Sequence, residues 1–198
     1  MNLHSSVKKK TVDSKSPYAI SSFADLVYEQ LLDKYVNQYK ELVILCIGSD
    51  RSTGDALGPL VGYKLEPIIS LYKDTYVLGT LEEPVHAKNL KEKIDYIYKN
   101  FSKPFVIAID ASLGRVDRIG YLNIKDGPLS PGLGVNKILP KIGNISITGI
   151  VNVGGVMEYV VLQNTRLSLV MKMAEIISKS IHVSLLKIIK SEEGKDIS

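Results

Sequence analysis

The sequence predicts an α/β protein in which helices cover both faces of a mostly parallel sheet, a three-layer α/β/α sandwich. Two short runs of branched apolar residues, at 42–47 and 105–109, are typical of strands buried on both faces of a parallel sheet. The stretches between and beyond these runs place apolar residues at the spacing of one helix face. Strands that alternate with helices form βαβ units, and such units build parallel sheets.

Length and composition are those of one globular domain. The chain has 198 residues, of which 45% are hydrophobic and 23% are charged, enough apolar material for a sheet covered by helices. No apolar run approaches the roughly 18 residues of a membrane-spanning helix, so we expect no membrane partner. Lysines near the amino terminus account for most of the net charge of +4, so we expect no nucleic-acid partner either. The single Cys46 suits a reducing cytoplasm and a buried, inert thiol.

The first half of the chain is expected to hold a disordered segment followed by four regular elements. Residues 1–17 lack the apolar side chains that would offset the entropy of ordering, which predicts a disordered tail ahead of a single domain over 18–190. The elements predicted in order are a helix over 18–39, a strand over 42–47, a helix over 55–72 and a strand over 75–80. Pro67 is expected to kink the second helix or to end it early.

The second half is expected to continue the alternation of strands and helices. The predicted segments are a loop over 81–84, a helix over 87–101, a strand over 105–109, a loop over 111–118, an edge strand over 119–124, an irregular connection over 126–137, a strand over 145–153 and a helix over 156–189. Glycine and proline mark the irregular connection, and Gly154 and Gly155 end the last strand.

Two aspartates follow the two buried strands. Asp55 opens the helix after the first strand and its polar loop, and Asp110 comes directly after the strand over 105–109. Ligands of open α/β sheets bind beyond the carboxyl ends of the strands, so neighbouring strands would bring both carboxylates to one crevice. Such a pair activates a water, with one acid as base and the other as proton donor, or holds a divalent cation. Two structural roles remain open: Asp55 as a helix cap and Asp110 in an Asx turn.

Other site types fit the sequence less well. The segment from Gly48 to Gly54 resembles a phosphate loop, but Asp55 stands where that loop needs lysine, and no G-x-G-x-x-G occurs, so nucleotide binding is disfavoured. No G-x-S-x-G nucleophile elbow is present. His86 is the imidazole best placed to reach the crevice, with a helix start as its structural alternative. For Arg51, solvated surface is the corresponding alternative.

Three segments carry a resemblance to a known family: GSDRSTGDALGPLVG, AIDASLGR and PGLGVNK. In this order they resemble the YyaC-type sporulation proteins, which are relatives of the spore germination protease. The resemblance runs from about Leu42 to Met157. It implies the α/β/α fold that this protease family shares with hydrogenase maturation proteases, a phosphorylase/hydrolase-like fold. It also implies a two-aspartate peptidase, whose D-A-L-G-P motif is matched at Asp55 and whose A-I-D-A motif is matched at Asp110.

One departure from the related families bears on cofactors. Hydrogenase maturation proteases bind a metal through two acids and a histidine in an S-P-H segment, whereas the comparable residues here are Ser130, Pro131 and Gly132. The missing histidine favours a two-aspartate site over a three-ligand metal site. We therefore expect no cofactor, with a divalent metal at Asp55 and Asp110 as the alternative.

The resemblance implies a peptidase that cuts small acid-soluble spore proteins in the cytoplasm of a spore-forming bacterium, in the forespore or the mother cell. Its expected catalytic residues are Asp55 and Asp110. Its expected substrate-binding residues are Arg51, His86, Asn136 and Lys137. The last two, or loop amides, are expected to stabilise the oxyanion. The alternative is a non-catalytic sporulation protein that binds a peptide in the same crevice, and association into homo-oligomers is left open.

Overall fold

The computed structural model describes residues 10–131, 139–155 and 157–193, and one sheet forms its centre. The strands of this sheet within the described residues are β1 (Thr11–Asp13), β2 (Glu41–Cys46), β3 (Thr75–Leu78), β4 (Pro104–Gly114), β5 (Tyr121–Asp126) and β6 (Ile145–Val153). Their order across the sheet is β1-β5-β6-β4-β2-β3.

Most neighbouring strands are parallel, which confirms the predicted fold class. The pairs β2–β3, β2–β4 and β4–β6 are parallel, and β5 runs antiparallel to both β1 and β6. The two strands that contain the apolar runs, β2 and β4, are parallel neighbours inside the sheet, as those continuous apolar runs predicted. Cys46 ends β2 and is fully buried, and burial raises the pKa of its thiol.

Helices cover both faces of the sheet, which confirms the three layers. They are α1 (Ala19–Lys34), α2 (Leu57–Ile69), α3 (Leu90–Asn100), α4 (Glu158–Gln163) and α5 (Leu167–Glu193). One apolar core joins α1, α2 and α5 to one face, and a smaller core joins α3 to the other. Successive side chains of β4 alternate between the two cores, so Ile107 and Ile109 face α2 while Ala108 faces α3.

The two longest of these helices are also joined by hydrogen bonds. The hydroxyl of Ser180 on α5 donates to the Ile20 carbonyl oxygen of α1 at 2.9 Å, and the hydroxyl of Ser184 donates to the Ala24 carbonyl oxygen at 2.8 Å. Both serines are buried, so their hydroxyls find in α1 the partners that water would otherwise provide. The packing of α1 on α5 is therefore fixed by polar contacts as well as by apolar area.

The disordered tail expected over residues 1–17 is corrected for its second half. β1 pairs with β5, and the amide of Ser14 donates to the Gly120 carbonyl oxygen at 3.0 Å. Val12 packs against the larger core, and Ser14 is fully buried. Because β1 covers β5, the expected edge strand over 119–124 is instead an interior strand. A strand of three residues is too short to show the alternating pattern that would have predicted it from the sequence. Residues 1–9 lie outside the described residues.

Two other expectations are wrong in their boundaries. β4 does not end before Asp110 but continues to Gly114, because β6 runs beside it as far as the pair Gly114–Val153. The helix expected over 156–189 is two helices, α4 and α5, separated at 164–166. α2 begins after a 3₁₀ turn at Gly54–Ala56 and ends at Ile69, two residues beyond Pro67, in agreement with the early end expected there.

The backbone of α2 lies directly on the carboxyl ends of β2 and β3. A Cβ atom at Gly58 would stand 2.1 Å from the carbonyl oxygen of Ile47, and one at Gly62 would stand 2.2 Å from that of Gly79. Real side chains do not tolerate such distances. The two glycines, one helical turn apart, therefore let the helix approach the strands more closely than any other residue would allow.

Gly58→Ala should destabilise the protein by about 2 kcal/mol or more, because the new methyl group meets backbone that cannot yield. The cost should exceed the roughly 1 kcal/mol by which alanine otherwise improves a helix over glycine. Thermal unfolding followed by circular dichroism measures the effect. Glu66→Ala, on the exposed side of the same helix, is the matched control and should leave the melting temperature nearly unchanged. An equally stable Gly58→Ala variant would contradict the close contact.

Deleting residues 1–15 should lower the melting temperature by about 4–8 °C more than deleting residues 1–9. The longer deletion removes the β1–β5 hydrogen bonds and the packing of Val12, together worth about 2 kcal/mol. The shorter deletion leaves β1 in place and serves as the control. Equal melting temperatures for the two truncated proteins would show that β1 adds nothing to stability.

Candidate functional site

The loop after β2 folds back on itself and sets the position of Asp55. At Gly48 the backbone has φ +144°, and a Cβ atom there would stand 2.0 Å from the Asp55 carbonyl oxygen. The amide of Ser49 donates to that same oxygen at 3.1 Å. Asp55 therefore sits in the 3₁₀ turn ahead of α2, held against the end of β2 by main-chain contacts.

β4 brings Asp110 to the level at which β2 ends. The amide of Ile47 donates to the Ile109 carbonyl oxygen at 2.7 Å, so Asp110 is the first residue of β4 beyond this last contact between the two strands. Its side chain is only 8% exposed. One carboxylate oxygen, Oδ1, accepts a hydrogen bond from the Ala111 amide at 2.8 Å.

Both carboxylates line one cavity of about 400 Å³ at the carboxyl end of the sheet. Arg51, His86 and Ser112 also line it. The apolar part of its wall is formed by Ile47, Ala87, Ala111, Leu113, Pro131, Leu139, Tyr159 and Leu162. A cavity of this size with apolar walls and a few converging polar groups is typical of ligand sites.

The two acids hold their protons differently. Burial raises the pKa of Asp110 well above its usual range, and the neighbouring Asp55 carboxylate raises it further. Burial also raises the pKa of Asp55, but His86 and the Ser49 amide oppose that rise. Asp110 therefore keeps its proton to higher pH, while Asp55 has partners that favour its charged form.

The other residues expected in the site divide into two groups. Arg51 lines the cavity from the exposed loop, and its Nε donates to the Ser49 hydroxyl at 3.3 Å. His86 lines it half-buried, with its backbone amide bonded to the Asn89 side chain at 2.8 Å. Among the described residues, its buried Nδ1 has no hydrogen-bond partner. Asn136 and Lys137 lie outside the described residues.

Several lining residues were not anticipated from the sequence. Ser112 follows Asp110 at the spacing of one strand face, so a longer strand prediction would have found it. Tyr159 and Leu162 come from α4, which lies beside the 3₁₀ turn at Gly54–Ala56. Nothing near these two residues in the sequence signals the contact, because it depends on how α4 packs.

The ionisable side chains that line the cavity include two acids and an imidazole, Asp55, Asp110 and His86. In the part of the chain that the structure describes, no three His, Cys, Asp or Glu side chains are grouped as metal ligands. Of the S-P-G segment, Pro131 lines the cavity, and Gly132 is outside the described residues.

The described helices also include none long and apolar enough to cross a membrane.

Comparison with known proteins identifies relatives of this chain. The family model described as "Protein of unknown function (DUF1256)" matches residues 11–180. The "Uncharacterized protein YyaC" of Bacillus subtilis (strain 168) is 55% identical over 145 residues, which are 73% of this chain and 70% of that protein. A solved [NiFe] hydrogenase maturation protease, HycI from Thermococcus kodakarensis KOD1, matches 79% of this chain and 99% of its own, with 19% identity and a TM-score of 0.48. A structural likeness of this size does not establish a shared function.

Asp110→Asn should be more stable than the parent at neutral pH. The pKa of Asp110 is higher in the folded chain than in the unfolded chain, so the free energy of unfolding falls as rising pH ionises the buried carboxyl. Asparagine carries no such charge, and its oxygen still accepts from the Ala111 amide. The advantage of the variant should vanish below pH 3.8, the ordinary aspartate pKa. Urea unfolding at several pH values measures it.

Asp117→Asn provides the control on an exposed 3₁₀ turn. The hydrogen bond with Arg115 lowers the pKa of Asp117, so folding favours the charged form of this side chain. Any small change in stability that Asp117→Asn causes at neutral pH should therefore be a loss, whereas Asp110→Asn should give a gain. A neutral-pH loss of stability in Asp110→Asn would show instead that the charged carboxylate supports the fold.

Proposed function

We propose that this chain, which belongs to the DUF1256 family, hydrolyses peptide bonds with a water activated between Asp55 and Asp110. The observation that carries the proposal is the single cavity that both carboxylates line, one of them almost fully buried. Two acids whose surroundings separate their pKa values supply a base and a proton donor at the same pH.

The surroundings of each acid suggest its role. Asp55, whose charge is favoured by His86 and the Ser49 amide, is the base that takes a proton from the attacking water. Asp110 keeps its proton and donates it to the carbonyl oxygen of the scissile bond. The tetrahedral intermediate then collapses: one of its hydroxyl groups returns a proton to Asp110, the C–N bond breaks, and the proton held by Asp55 passes to the leaving amine.

The biological assignment rests on the sequence motifs. The segments DALGP and AIDA, which contain the two acids, resemble those of the spore germination protease. We therefore propose small acid-soluble spore proteins as substrates and a role in spore formation or germination. The non-catalytic alternative uses the same cavity, whose apolar lining also suits a bound peptide.

The parent protein should cut purified small acid-soluble spore proteins, and Asp55→Asn or Asp110→Asn should reduce the rate by about 10²–10⁴-fold, the usual contribution of a general acid or base. Electrophoresis and mass spectrometry of the products measure the cutting. The rate should fall as pH rises through the pKa of Asp110 or drops through that of Asp55, because each acid is then in the wrong protonation state.

Asp50→Asn is the matched control, since Asp50 lies exposed in the same loop and does not line the cavity. It should cut at the parent rate. An Asp55→Asn variant that cuts as fast as the parent would overturn the two-aspartate mechanism. Tight binding of the spore proteins without any cutting by the parent would favour the binding protein.

A further inference from the structure

One edge of β4 lacks a neighbouring strand, among the described residues, beyond Ile109. β2 ends beside that residue, and the chain then turns away: the Gly48 amide donates to the Val85 carbonyl oxygen at 2.8 Å, on the side of β2 opposite to β4. On its other edge, β4 stays paired with β6 as far as Gly114. The sheet therefore has a gap in line with β2, beside residues 111–113.

The register shows which backbone groups face this gap. In a strand, successive residues direct their N–H and C=O groups to opposite edges. The Ile109 carbonyl oxygen bonds to β2, and the Gly114 carbonyl oxygen accepts from the Gly154 amide at 2.8 Å on the β6 side. Ala111 and Leu113 therefore face the gap. The Ala111 amide is bonded to Asp110, which leaves the Ala111 carbonyl and both groups of Leu113 without a partner in the described chain.

The gap belongs to the cavity that holds the two acids. Ala111, Ser112 and Leu113 line it, and Asp110 stands at its start. Residues 111–113 are half-buried, and an unpaired strand edge is a template for pairing with another extended segment. The cavity also contains two other buried polar atoms with no partner among the described residues, the Ser52 hydroxyl and the His86 Nδ1. Unsatisfied backbone and side-chain groups on one cavity indicate a ligand of extended shape that carries hydrogen-bonding groups along its length.

The cavity walls are apolar on both faces of the sheet. Leu162 packs with the core on the α2 face, and Leu139 packs with the core on the α3 face. An added strand would direct alternate side chains to these two walls. The apolar surface continues from Tyr159 of the cavity wall, which is 62% exposed, to Met157 and Val160 at the start of α4, which are 67% and 40% exposed. The occupant is therefore expected to carry apolar side chains.

We propose that an extended, apolar peptide segment binds as an added strand in the gap, bonded to the backbone of Ala111 and Leu113. The segment continues the line of β2 and passes the two acids at the start of the gap. As a substrate-binding mode this rests on the proposed peptidase function, whereas binding itself needs no hydrolysis. Strand addition takes affinity from main-chain hydrogen bonds and specificity from alternate side-chain pockets.

The test uses the Asp55→Asn protein and a synthetic library of ten-residue peptides with apolar residues at consecutive positions, since both cavity walls are apolar. Binding is measured by fluorescence anisotropy, and the best peptide is then resynthesised with an N-methyl group at each backbone nitrogen in turn. Methylation should weaken binding about tenfold at alternate positions and little between them, because only every second amide faces β4. Uniform effects, or no peptide bound at millimolar concentration, would overturn the proposal.

Leu113→Pro tests the protein side of the same contact. Proline removes the N–H that faces the gap and leaves the β6 pairing intact, whereas Leu113→Ala removes the side chain alone and is the control. Binding should be about tenfold weaker in the proline variant than in the alanine variant, and equal binding in two folded variants would overturn the proposal. If the proline variant does not fold, the N-methyl pattern decides.

The two proposals fail in different ways. Periodic binding without any cutting of the same peptide by the parent protein would support strand addition and remove the peptidase. Cutting by the parent protein with no periodic N-methyl effect would support the peptidase and remove strand addition. The binding measurement therefore stands apart from the activity.

Discussion

The contact between the backbone of α2 and the ends of β2 and β3 is the constraint on which the site depends. Gly58 and Gly62 place helix backbone against strand backbone with no side chain between them. This close approach carries the 3₁₀ turn at Gly54–Ala56 to the end of the sheet, where Asp55 reaches the cavity that Asp110 lines from β4. The acid pair is thus assembled from two elements whose separation is set by main-chain packing. Main-chain packing varies less with thermal motion than contacts between long side chains do.

Much of this arrangement was predictable because burial leaves a clear sequence pattern. β2 and β4 are buried on both faces, and such strands appear as continuous apolar runs. Asp55 and Asp110 were identifiable because each is an acidic residue that follows one of these apolar runs, Asp55 after a polar loop and Asp110 directly. The fold class and the shared location of the two acids needed no more than these local signals.

The remaining features depend on contacts that the local sequence does not encode. The continuation of β4 past Asp110 comes from its pairing with β6, and the polar residues in that stretch had indicated a loop. β1 is too short to show a period and forms because β5 offers it a free edge. Tyr159 reaches the cavity through the packing of α4, a tertiary contact without a local signature. Contacts between distant parts of the chain therefore determine the structure around the acids. They also determine how far β4 extends beyond β2, and so where its edge is unpaired.

The pairing between elements that are far apart in the chain has a consequence for how the protein folds. α1 takes hydrogen bonds from α5 across 160 residues of sequence, and β1 completes the sheet only against β5. Contacts at such separation carry a large loop-closure cost and form late. During synthesis, β1 waits for β5 and α1 waits for α5 before they find their partners. The central strands are able to pair earlier, so an incomplete chain exposes the apolar face of α1, and chaperones or proteases have their best opportunity before α5 emerges.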